Sequence, residues 1–106
     1  MSRKQMANLI PQIFKEIQTV REAGQKEYAR EADNAFANFE RIASNLNLKR
    51  EEVLLVYLLK HVDGITSFVK GHKSQRENVR GRLTDAIVYL CLLWGMIDDT
   101  ENKRKL

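Results

Sequence analysis

Arg82, Asp85 and Tyr89 stand at i, i+3 and i+7, a spacing that puts all three on one face of a helix. Asp85 borders the most apolar stretch of the chain, Ala86 to Ile97. A carboxylate in such a place demands a partner, because burying it unpaired is costly. A second polar group, Lys60 and Asp63 with Gly64 beside them, follows the apolar run from Val53 to Leu59. A third, made of Lys26, Tyr28, Asp33, Asn34 and Asn38, surrounds Phe36 and Phe39. Two readings fit these residues. Lys60 or Arg82 pairs with Asp85 as a structural salt bridge that fixes helix register, or the set forms a polar pocket between helices for an anionic or metal-bound ligand.

Most enzyme classes drop out on the same inspection. The five glycines are scattered singly, so there is no glycine-rich phosphate loop. His61 and His72 lie apart, and no cysteine–histidine cluster at zinc spacing exists. Nothing in the sequence points to Ser-His-Asp chemistry.

Four helices are expected to position these residues. The first covers about Arg3 to Arg30, opened by Ser2 and Gln5 at capping-box spacing and striped by Met6, Ile10, Ile13, Phe14, Ile17 and Val20. Gly24 is a point where it could end or bend. The second follows Asp33 as N-cap and carries Phe36, Phe39, Ile42, Ala43 and Leu46, ending in a turn at Asn45–Asn47. The third spans about Lys49 to Val69, with Glu51 and Glu52 at its positive end and Gly71 placed as a C-cap glycine. The fourth starts at a Ser74/Glu77 capping box and continues to about Asp98, so residues 1–98 form one helical domain and 99–106 a flexible charged tail.

At 106 residues, 43% hydrophobic and 30% charged, the chain is one globular domain. One cysteine, Cys91, excludes a disulfide framework and fits a reducing, cytoplasmic setting. Met1-Ser2-Arg3-Lys4 does not open a signal peptide, and the longest apolar run falls short of the roughly 20 residues of a membrane span. The net charge of +4 is modest and includes Lys103-Arg104-Lys105, so nucleic acid is not the expected partner. Val53–Leu59 and Ala86–Ile97 are apolar nearly all the way round, more than one small core can hide. Either the first two helices wrap both sides within one chain, or a homo-oligomer, most simply a twofold dimer through a four-helix interface, covers the second face.

Four segments in order then carry a resemblance. Lys26-Glu27-Tyr28, Asp33-Asn34-Ala35-Phe36-Ala37-Asn38-Phe39, Leu59-Lys60-His61 and Asp85-Ala86-Ile87-Val88-Tyr89-Leu90 are similar to motifs of small phage nucleotide-modification-associated domains. Those domains are relatives of the all-α MazG-like nucleoside triphosphate pyrophosphatases. The resemblance covers about Lys26 to Ile97. It implies an oligomeric helical bundle with a nucleotide site between helices, contacted by Lys26, Tyr28, Asn38, Lys60, Arg82, Asp85 and Tyr89. In the catalytic relatives, i, i+3 carboxylate pairs hold magnesium, which activates water against the triphosphate. This sequence departs from that pattern, since Arg82 stands three residues before Asp85 and Lys60 three before Asp63. Glu40, Asp63 and Asp85 would supply a reduced magnesium site, while Lys26, Lys60 and Arg82 keep the means to bind phosphate.

Three functions follow from this reading. The first is a nucleotide-binding MazG-like protein with weak magnesium-dependent pyrophosphatase activity. The second is a non-enzymatic phage anti-defence protein, resembling anti-CRISPR proteins, that sequesters a nucleotide signal or binds a host defence protein. The third is a nucleic-acid-associated bundle using Arg76, Arg80, Arg82 and the basic C-terminal residues.

Overall fold

The computed structural model describes residues 1–24, 34–72 and 78–105. They form α1 (Arg3–Gly24), α2 (Ala37–Leu46), α3 (Arg50–Val69) and α4 (Val79–Lys105), with no strand among the described residues. The all-α expectation holds. Among the described residues no helix is long and apolar enough to cross a membrane.

The helix ends follow local chemistry. At the start of α1 the Ser2 N–H donates to Gln5 Oε1 at 2.8 Å and the Gln5 N–H to Ser2 Oγ at 3.1 Å, the reciprocal capping box read from the sequence. Ahead of α2, Asn34 Oδ1 accepts from the Phe36 N–H at 3.0 Å and its amide donates to Glu40 at 2.8 Å. Asp33, the N-cap expected from sequence, lies outside the described residues, as does the Ser74/Glu77 box. The chain leaves α2 through Asn47 in the left-handed region (φ 56°, ψ 47°), which asparagine tolerates better than most residues. In front of α3, Glu52 accepts from the Lys49 N–H at 2.9 Å. At the other end Gly71 has φ 92°, its N–H meets Phe68 O, and the His72 N–H meets Ser67 O, both at 3.0 Å. That pair of bonds is a Schellman motif, and it uses the glycine as expected.

The tail expected at 99–106 is helical through Lys105. Its first turn is held by side chains: Asp99 is 3.1 Å from Arg50 and 3.3 Å from Lys103, and Thr100 Oγ1 accepts from Arg50 at 3.1 Å. An i, i+4 ion pair and a link to α3 replace the apolar stripe that this segment lacks.

Helices α3 and α4 run antiparallel. Arg50 reaches Met96, Asp99 and Thr100, Tyr57 and His61 meet Tyr89, and Gly64 meets Arg82. α2 lies on α3 and α1 on α4. The core joins Phe39 and Ala43 of α2, Val53 and Leu54 of α3 and Met96 of α4. Gly95 lets Phe36 in, since a Cβ there would stand 3.2 Å from the ring. This core is thin. The Cα radius of gyration is 15.9 Å, against about 13 Å for a compact chain of this length. Large apolar side chains remain uncovered, Trp94 at 72% exposure and Leu59 at 57% among them.

Candidate functional site

Two polar clusters sit at separate levels of the α3/α4 hairpin. The first is built on Arg82, Asp85 and Tyr89, which one face of α4 turns toward α3. His61 of α3 is buried among them, its Nε2 3.7 Å from Asp85 Oδ2. The His61 ring stacks on Tyr89 at 5.7 Å, and Tyr89 stacks on Tyr57 at 6.1 Å with 17° between planes. Phe39 of α2 meets both tyrosines edge-on at 6.2 Å. The partner of Asp85 is therefore His61, rather than the Lys60 or Arg82 expected from charge alone. A buried imidazole in an apolar run can be read from sequence only by asking which polar group faces Asp85 once the helices are antiparallel.

Arg82 lies one turn before Asp85, and its guanidinium occupies the notch left by Gly64. A Cβ at Gly64 would fall inside that group. Arg82 Nε is buried and has no hydrogen-bond partner among the described residues. A guanidinium offers five donors in a rigid fork suited to phosphate or carboxylate oxygens. Arg82 thus stands next to an aromatic stack with donors unused by the described chain.

The second cluster was not read from the sequence. Arg50 opens α3 and is largely buried, with Glu40 at 3.1 Å, Glu51 at 3.3 Å and Asp99 at 3.1 Å. It also donates to Met96 O at 3.0 Å and lies over the Phe36 ring at 5.0 Å. Burial works against the Arg50 charge, but the bonds to Asp99, Glu51 and Glu40 outweigh it and raise its pKa. The bond from Arg50, then that from Lys103, holds Asp99 below the usual aspartate range. A cation in the first turn of a helix opposes the helix dipole, and that misfit was the available signal.

These placements sort the expected ligand-binding and metal residues. Arg82, Asp85 and Tyr89 come together. Lys60 and Asp63 are exposed on α3, and Asn38 is half-buried on α2. Lys26 and Tyr28 lie outside the described residues. Glu40 belongs to the Arg50 cluster, whose Asp99 is about 21 Å along α4 from Asp85 by helical rise. Glu40, Asp63 and Asp85 therefore do not converge, and among the described residues no group of three or more His, Cys, Asp or Glu stands ready for a metal ion. Comparison with family models, curated proteins and solved structures finds no match to this chain.

Proposed function

We propose that this chain is a homodimeric, MazG-like helical binding protein that takes a phosphate-bearing ligand of the nucleotide class at Arg82 and releases it uncleaved. The observation that carries the reading is the Arg82 guanidinium, set in the Gly64 notch with a buried Nε that no described residue engages. Charge-assisted bonds to phosphate oxygens are the strong use of such a group. Because the described carboxylates are spread over separate clusters, binding is favoured over magnesium-assisted hydrolysis.

The exposed apolar side chains of α3 and α4 favour a second reading, in which the partner is another protein, as for a phage protein acting on a host defence component.

Isothermal titration calorimetry against nucleoside triphosphates and cyclic nucleotides, with and without magnesium, tests the first reading. The recovered ligand is analysed for cleavage. Expected is binding of at least one intact nucleotide, weakened roughly 10- to 100-fold by Arg82→Ala. Silence across the panel, or unchanged affinity in the variant, overturns it. Cleavage that requires magnesium overturns the non-hydrolytic part alone.

A further inference from the structure

The α3 residues that face α4 recur at alternating four- and three-residue steps: Arg50, Leu54, Tyr57, His61, Gly64 and Phe68. Contacts with α4 place Arg50, Tyr57, His61 and Gly64 in this seam, and helical phase adds Phe68. The pairs Tyr57/Tyr89, His61/Asp85 and Gly64/Arg82 step in opposite directions along the two helices, so the next level sets Phe68 against Asn78. α4 begins only at Val79. The seam therefore opens at this level, and Phe68 is 50% exposed although it stands in the same row as the buried Leu54 and His61.

Packing leaves this ring unused. Phe39, Tyr57 and Tyr89 hold one another, and Phe36 lies under Arg50, whereas Phe68 has no ring or cation–π contact among the described residues. Its neighbour is the Arg82 guanidinium. That group occupies the point where a Gly64 Cβ would stand, and Cβ atoms four residues apart on a helix are about 5–6 Å from each other. Phe68 leans back toward that point, because helical side chains tilt toward the N-terminus of their own helix. Guanidinium and ring are thus about one nucleoside apart, the separation of a base from its 5′-phosphate.

Charge agrees with an anionic ligand. From Gly64 to Arg82 the described residues include the cations Lys70, Arg80 and Arg82 and no carboxylate. Gly81, one residue before Arg82, is exposed, and a Cβ there would meet nothing within 4 Å. No side chain crowds the backbone beside the guanidinium.

We propose that Phe68 is the base platform of the Arg82 site: a nucleotide lays its base on the Phe68 ring and gives its phosphate to the guanidinium. The inference rests on the reading of Arg82 above and adds what that site requires of its ligand, an aromatic base one nucleoside from the phosphate. Every base has a π face to offer, so the platform selects nucleotides over other phosphates more than one base over another.

The test is calorimetric titration with the four ribonucleoside 5′-monophosphates and with ribose 5-phosphate, which carries the same phosphate without a base and is followed by its competition with the nucleotide. Expected is binding of the nucleotides about 10-fold or more tighter than that of the sugar phosphate. Phe68→Leu lowers nucleotide affinity about 10-fold and leaves ribose 5-phosphate within about 2-fold, whereas Arg82→Ala weakens both. Position is read separately from Phe68→Trp in a Trp94→Phe background, where the new indole is the sole tryptophan. A nucleotide quenches its emission and ribose 5-phosphate does not. Equal losses for both ligands in Phe68→Leu, no loss for either, or an unquenched indole at saturating nucleotide overturns the platform while the Arg82 reading stands. The indole experiment decides if Phe68→Leu does not fold. Nucleotide affinity lost in Phe68→Leu but unchanged in Arg82→Ala overturns the Arg82 reading and leaves the platform, and silence from every ligand overturns both.

Discussion

Arg50→Met asks whether the charged cluster at the start of α3 holds the fold together. The substitution keeps the apolar stem and removes the guanidinium that ties Glu40 of α2, Glu51 of α3 and Asp99 and Thr100 of α4. Breaking a fully buried ion pair typically costs about 3–5 kcal/mol, largely through the partner left unpaired. Here the Arg50 side chain is 13% exposed but its carboxylate partners are 31–38% exposed, so water takes up part of that loss. Loss of the contact with the Phe36 ring adds about 0.5 kcal/mol, and relief of the helix dipole returns a similar amount. The net expectation is a loss of about 2 kcal/mol, which lowers the urea midpoint by about 1 M. Urea titration followed by circular dichroism measures this, at one fixed protein concentration because self-association raises apparent stability. Arg50→Lys should recover only part, since an ammonium cannot fork between three carboxylates. A midpoint for Arg50→Met within about 0.2 M of wild type would refute the argument, because the cluster would then be surface decoration.

Asp99 gives the cluster a pH signature. Its folded-state pKa is lowered, chiefly by the bond from Arg50 and then by Lys103, so the unfolded chain takes up its proton first as pH falls. Its contribution is complete above the ordinary aspartate range and is lost as pH drops through that range to the lower folded value. The urea midpoint should therefore fall below about pH 4 less steeply in Asp99→Asn than in wild type, and parallel slopes would remove Asp99 from the account. Gly71→Ala should destabilise by about 1 kcal/mol, because Gly71 sits at φ 92°, whereas Gly81→Ala should stabilise by about 0.5 kcal/mol, because nothing lies within 4 Å of the added methyl. Opposite signs in thermal melts of the two variants check this. Gly64→Ala should displace the Arg82 side chain and weaken nucleotide binding nearly as much as Arg82→Ala, with far-UV dichroism unchanged; wild-type affinity by calorimetry counts against the notch.

The elements were legible where capping chemistry is local. Ser2 with Gln5 and Gly71 after Val69 each announce a helix end within a few residues, and the structure uses both. The α4 boundary was not legible, because residues 99–105 have no apolar stripe. Their helix is held partly by Arg50, which is far away in sequence and close only once α3 and α4 pair. The face bearing Arg82, Asp85 and Tyr89 could be read from spacing, since helical phase is a local property. Its complement could not. His61 looks like a lone core histidine until antiparallel packing sets it against Asp85 and Tyr89. For the same reason Glu40 looked available to a metal, although Asn34 and Arg50 already bind its two oxygens.

The two clusters divide the work by what their cations face. Arg50 meets three carboxylates, a threonine hydroxyl, a carbonyl and an aromatic ring, which leaves it little capacity for a ligand. Arg82 has a glycine beside it and no described acceptor, so removing it breaks no described bond. Arg82→Ala should thus leave the unfolding free energy within about 0.5 kcal/mol of wild type while binding falls, and Arg50→Met should lower the urea midpoint while the folded fraction binds normally. If both variants lost stability and binding together, the clusters would be one cooperative unit, and the Arg82 donors would have to be completed by the protein itself.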